Sequence, residues 1–216
     1  MDITWYGLGT FRINERSYPA IITDPLDEQQ AKYSLPRVSA DIVTLSTPKG
    51  DCRDLRWKFR GKQRTIASPG EYEMGGLFIT GIDTYRDRKK GSERGQNIVY
   101  TFNISDVLVC HLGDLGHVPT QSQLETIGPV HLLLIPVGVP GGLTPAKASE
   151  VVSLIEPHLV IPMNYETPGI IEKRNPVDRF LKEMGISNVA PQESLRISSR
   201  DIPEETEVLL LEPQQG

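Results

Sequence analysis

Only two cysteines, Cys52 and Cys110, occur in 216 residues. That is too few for a disulfide framework, and in a reducing compartment both would be free thiols. Long apolar runs are missing too: the longest, HLLLIPVGV at 131–139, is broken by Pro136 and falls well short of the roughly 20 residues that cross a bilayer. The opening residues, MDITWYGLGTFRI, lack the basic start, long apolar stretch and small-residue cleavage site of a secretory signal. A cytoplasmic protein without a membrane partner is therefore expected. No Gly/Ser-rich or Pro-rich linker divides the chain and no fixed-period repeat runs through it, so a single domain over 1–216 is expected.

What is present is ordinary in bulk. An apolar fraction of 38%, a charged fraction of 24% and a net charge of −5 describe a folded water-soluble chain and name no partner. The first half reads as short strands, at 3–6, 10–13, 20–23, 41–45, 65–67, 77–84, 97–103 and 107–110. From Thr120 the period changes to helical over 121–127, 145–155 and 176–184, with apolar strands at 131–135 and 159–161 between them. Thr144 before Pro145 predicts a capped helix start, and Gly185 closes the last helix. A β-rich half packed on a β/α half gives an α/β (α+β) class.

Four stretches carry groups with chemistry. In CHLGDLGH, His111, Asp114 and His117 recur at three-residue spacing, which suits a metal cluster, while Gly113 and Gly116 suit a tight turn whose carboxylate bonds backbone N–H groups. In TDP, Asp24 ends a strand before a proline and reads as an Asx-turn. Glu71 and Glu73 fall on one face of a hairpin strand, as an acid/base pair would, or as a solvated face does. Residues 49–64 hold seven basic and two acidic side chains with Trp57 and Phe59 among them. Nucleic acid uses such a pattern, but so does a charged surface helix, and nucleic acid is not the expected partner.

Taken in order, ITWYGLGTFRI, ITDP, ADIVTLS, PGEYEMGGLFITGI, CHLGDLGH, LLLIPVG and VIPMNYETPG resemble the metallo-β-lactamase fold. The likeness is to its branch of small zinc-dependent hydrolases similar to sugar-phosphate lactonases. This implies a four-layer αβ/βα sandwich with a metal site at the loop ends along one edge of the paired sheets. It implies ligands in a His-x-His-x-Asp-His loop after the strand at 41–45, a further histidine in Tyr-His-Asp, a bridging aspartate, and a last histidine in Pro-Met-His-Tyr. Here Thr47, Lys49 and Cys52 stand at the three loop histidines and Asp51 is kept. Arg86 replaces the next histidine, Asp114 matches the bridging carboxylate, and Asn164 holds the last position. Gly7-Leu8-Gly9 stands where such proteins often have Gly-His-Ser.

Two zinc ions and a bridging water of lowered pKa need more imidazole or thiolate than this. No metal cofactor is expected, and Lys49 and Arg86 would instead neutralise Asp51 and Asp114 as internal ion pairs. The function expected on this reading is a non-hydrolytic pseudoenzyme that binds an anionic small molecule or partner, with Arg88, Lys89, Lys90 and Arg94 adding charge nearby. The alternative is a metal-dependent hydrolase of the lactone or phosphoester type. Its altered, mononuclear site would hold zinc or manganese through Asp24, Asp51, His111 and Asp114, or Cys52 would act as a nucleophile. No catalytic residue and no oligomeric state is assigned.

Overall fold

The computed structural model describes residues 1–26, 29–47 and 62–216. Their strands form two mixed sheets. The six-stranded sheet has the order β12-β1-β2-β3-β4-β5, from Leu195–Arg196, Asp2–Gly7, Thr10–Asn14, Ile21–Thr23, Ile42–Thr44 and Arg64–Ile66. The seven-stranded sheet has the order β13-β11-β10-β9-β8-β7-β6, from Glu207–Val208, Leu159–Met163, Leu132–Pro136, Val107–His111, Gln96–Ile104, Leu77–Tyr85 and Gly70–Met74. Strands β6 to β9 pair antiparallel, whereas β9, β10, β11 and β13 run parallel.

Side-chain period explains the split. Along β10 and β11 every residue is buried, as a parallel strand covered on both faces requires, and the matching sequence is a continuous apolar run. Antiparallel β7 alternates instead, exposing Phe78 between buried Leu77 and Ile79. The helix α2 (Pro145–Ile155) starts where Thr144 accepts a hydrogen bond from the Lys147 N–H, and it buries Ala148, Val151, Val152 and Ile155 along one stripe. A reciprocal capping box between Thr120 and Gln123 starts α1 (Gln121–Ile127). The third helix, α3 (Asp178–Glu183), begins two residues later than its sequence pattern predicts and has no side-chain cap.

Residues from both sheets share one core, in which Trp5, Phe11, Tyr100, Phe102 and Phe180 are fully buried. Tyr100 ties the sheets together: its hydroxyl, on β8, bonds the carbonyls of Leu45 and Ile66 at the ends of β4 and β5, each at 3.1 Å. A second cluster, of Tyr6, Leu8, Ile22, Leu26, Ala31 and Ala40 with Tyr33 and Ile170 against it, lies on other faces of β1 and β3. The architecture is thus the expected α/β sandwich. Among the described residues, however, coil rather than helix covers β1 and β3 there. No described helix is long and apolar enough to cross a membrane.

The sandwich brings several strand ends to one edge. Asp24 follows β3 and its N–H bonds the Thr44 carbonyl on β4, while the N–H of Asn164, just after β11, bonds the carbonyl of Leu8, just after β1. Carboxyl ends of parallel strands are where open α/β sheets place their ligands.

Candidate functional site

A cavity of about 320 Å³ opens at this edge, lined among others by Leu8, Asp24, Thr47, Asp114, Asn164 and Arg174. Three of these have left-handed backbone: Leu8 at φ 47°, Asp24 at φ 36° and Asn164 at φ 57°. For leucine that conformation costs about 1–2 kcal/mol. Backbone strain gathered around one cavity points from structure to function.

Asp114 sits at the rim because the turn after β9 is pinned from three directions. Its own N–H donates to Asn97 Oδ1 at 2.8 Å, the Gly116 N–H donates to the Tyr85 carbonyl at 2.9 Å, and Gly113 takes φ 61°. Asn97, wholly buried, in turn donates from Nδ2 to Thr84 Oγ1 and the Leu112 carbonyl. Two arginines then converge on one carboxylate oxygen. Asp114 Oδ2 accepts from Arg86 Nε at 2.7 Å and lies 2.6 Å from its Nη2, and Arg94 Nη2 approaches it at 2.9 Å. The arginines also exchange bonds, Arg94 Nη1 to the Arg86 carbonyl at 2.8 Å and Arg86 Nη1 to the Arg94 carbonyl at 3.4 Å. Asp114 Oδ1 is buried with no hydrogen-bond partner among the described residues.

The loop from Arg86 to Gly95 is not the solvated hairpin its charges suggest. Lys89 and Glu93 do pair at the surface, and Arg88, Lys89 and Lys90 are exposed. Asp87, by contrast, is 2% exposed and accepts four backbone N–H groups, from Lys89, Gly91, Glu93 and Arg94. Burial alone would raise its pKa, but the four donors outweigh it and hold the carboxylate below its usual range.

The histidines do not join Asp114. His111 is fully buried, and its Nδ1 accepts the Gly113 N–H at 3.2 Å, so Nε2 carries the proton toward the Gly9 carbonyl at 2.9 Å. Burial pushes its pKa down, which keeps it neutral although Asp24 Oδ2 lies 4.0 Å from Nδ1. His117 accepts the Tyr85 N–H through Nε2 and faces the Val118 carbonyl through Nδ1. Both rings spend both nitrogens on backbone groups, so the His111/Asp114/His117 spacing builds a turn. Glu71 and Glu73 are exposed on β6, the edge strand, as a solvated face.

Asp24 is not an Asx-turn: Oδ1 accepts the N–H of Ser46, 22 residues away, at 2.6 Å. Burial raises its pKa, against the smaller opposing effects of His111 and Ser46. A folded pKa above the unfolded one makes the ionised form a liability as pH rises through the folded value. Asp24→Asn keeps the Oδ1 acceptor and is expected to raise stability at pH 7 by on the order of 1 kcal/mol. The gain should vanish near pH 4, where both states of the wild type approach protonation; urea midpoints at the two pH values measure it.

The donors required by zinc can be set against this geometry. Among the described residues no group of three or more His, Cys, Asp or Glu could hold a metal ion. One oxygen of Asp114 is occupied by guanidinium, His111 has no nitrogen to give, and Asn164 directs Nδ2 to the Gly113 carbonyl at 3.3 Å. These residues do not fit a dinuclear zinc centre. Lys49, Asp51 and Cys52 lie outside the described residues, so the Lys49–Asp51 pairing is not placed, whereas Thr47 lines the cavity. Cys110 is a buried free thiol whose pKa is raised by burial. Sequence reasoning missed Asn97, Asp87 and the pair Glu172–Arg174, of which Arg174 lines the cavity.

Comparison with known proteins fits this fold. Residues 2–164 match the family described as the beta-lactamase superfamily domain. A structure from Thermotoga maritima, of a proposed Zn-dependent hydrolase of the metallo-β-lactamase superfamily, superposes with a TM-score of 0.78 at 35% identity, covering 97% of each chain. A UPF0173 protein of Pyrococcus abyssi is 26% identical over 195 residues, 78% of this chain and 85% of that one. A UPF0173 metal-dependent hydrolase of Methanopyrus kandleri is 25% identical over 219 residues, 86% of this chain and 94% of that one. These names specify no substrate, and in particular no sugar-phosphate lactone.

Proposed function

Since the chain belongs to the beta-lactamase superfamily domain family, and since guanidinium groups occupy the carboxylate that the fold would offer to metal, we propose that it binds an anionic small molecule at this cleft without two-zinc hydrolysis. The single observation that carries the reading is the convergence of Arg86 and Arg94 on Asp114 Oδ2. A fixed cation there repels an incoming divalent ion and lowers the charge that would attract one. The same cations, partly exposed and bonded to Asp114 of the cavity lining, attract anions and can grip them bidentately.

Metal analysis of the full chain, purified without chelator, tests this directly. Substoichiometric zinc is the expected result. Two tightly bound equivalents per chain, with lactone or phosphodiester turnover that Asp114→Ala abolishes, would overturn it.

A second reading, a metal-dependent hydrolase with a changed and mononuclear site, is favoured by the names of the relatives and by Oδ1 of Asp114, which has no hydrogen-bond partner among the described residues. Turnover that appears only on addition of zinc or manganese, and disappears in Asp114→Ala, is its signature.

A further inference from the structure

The β7–β8 connection is organised by Asp87, and it presents two guanidinium groups that use half of their hydrogen-bonding capacity among the described residues. Each guanidinium has five N–H donors. The bonds described involve Nε, Nη1 and Nη2 of Arg86 and Nη1 and Nη2 of Arg94, one donor apiece, which leaves five of ten. The side chains are 30% and 23% exposed, so neither arginine is closed off from solvent. Asp114 is the carboxylate bonded to both guanidinium groups, and Glu172, itself paired with Arg174, adds a second negative charge within electrostatic reach of Arg86.

We propose that Arg86 and Arg94 form a preset receptor for a tetrahedral oxyanion, of the phosphate or sulfate type, and that Asp87 is its positioning residue. The proposal rests on the anion-binding reading above and names both the ligand class and the residue that holds the receptor in shape. A planar carboxylate can satisfy one guanidinium fork, and Asp114 already meets the Nε/Nη2 side of Arg86 through its single oxygen Oδ2. Donors left over on two separate forks call for an acceptor with three or more oxygens arranged in space. Asp114, which both arginines hold, also lines the cavity of about 320 Å³, and that cavity gives room for an organic body attached to such a group.

Asp87 acts through the backbone. Its four N–H partners include Arg94 itself, at 2.7 Å, and the residue next to it, Glu93, at 3.1 Å. Fixing that backbone fixes the Arg94 carbonyl that receives Arg86 Nη1, and the Arg94 side chain that returns to the Arg86 carbonyl. Preorganisation of this kind strengthens binding by reducing the entropy lost on association.

Calorimetry on the full chain at low salt tests the proposal, with inorganic phosphate, sulfate and acetate as probes. Phosphate and sulfate should bind, acetate about tenfold more weakly or less. Asp87→Asn should weaken phosphate about tenfold, and Arg94→Lys, which keeps the charge and loses the fork, by a similar factor. The decisive readout is a double-mutant cycle: in the Arg94→Ala background, Asp87→Asn should change phosphate affinity less than about twofold. Equal losses in both backgrounds, or an Asp87→Asn variant that binds phosphate as tightly as wild type, would overturn the positioning role. Should Asp87→Asn not fold, Arg94→Lys binding phosphate as tightly as wild type would overturn the receptor. Acetate bound as well as phosphate overturns the ligand class but leaves the anion reading standing. No anion binding together with two equivalents of zinc overturns both.

Discussion

Asn97→Leu is expected to lower the free energy of unfolding by about 3–5 kcal/mol, because it removes three buried hydrogen bonds and strands their partners. The side chain has no exposed surface. It donates to Thr84 Oγ1 at 2.8 Å and to the Leu112 carbonyl at 3.0 Å, and it accepts the Asp114 N–H at 2.8 Å. Leucine has nearly the right volume, so cavity formation adds little and the loss measures polar satisfaction. The Thr84 hydroxyl keeps its bond to the Asn97 carbonyl, at 3.1 Å, and therefore moderates one of the three losses. Denaturant unfolding measures the change, and a difference below about 1 kcal/mol would mean that solvent reaches these groups and the network is not closed. Because Asn97 holds the Asp114 backbone, anion binding by Arg86 and Arg94 should fall with it.

The parts of this fold that were legible in the sequence are those whose residues specify themselves. Strand β10 is a continuous apolar run, and α2 announces its start with Thr144-Pro145 and its buried face with Ala148, Val151, Val152 and Ile155. Strands β12 and β13, each two residues long, have no such pattern; they exist because β1 and β11 offer them partners. At the site the same division holds. The ion pair of Arg86 with Asp114 is the one expected from the family resemblance, whereas the second partner, Arg94, was expected only as charge nearby. Asp87 was hidden because its four partners are backbone groups, which every loop possesses and no composition reveals. Asp24 reads locally as a turn residue, yet its bond goes to Ser46 on another strand end, a contact that only the sheet order creates. His111 and His117 mislead by spacing alone: a turn containing Gly113 and Gly116 sends their rings to different backbone groups.

The second large effect is sterical and sits on the other side of the same loop. A Cβ added at Gly116 would lie 2.0 Å from the Arg86 carbonyl oxygen, 2.2 Å from its carbon and 2.5 Å from the Asp87 nitrogen. All three are backbone atoms, so no rotamer change can relieve the overlap, and the two segments must separate by more than about 1 Å to restore ordinary contact. Separation breaks the bond from the Gly116 N–H to the Tyr85 carbonyl and draws Arg86 away from Asp114. Gly116→Ala is therefore expected to cost about 3–5 kcal/mol and to abolish phosphate binding, even in conditions where the variant is folded. Gly128→Ala is the matching control. Gly128 has φ 74° and ψ −166°, a region essentially reserved for glycine, but no atom within 4 Å of the added Cβ, so its substitution carries backbone strain alone, about 1–3 kcal/mol, and should leave binding intact. If urea unfolding finds the two variants equally stable, the close approach of the 86–87 backbone to Gly116 is wrong, and the placement of Arg86 on Asp114 goes with it.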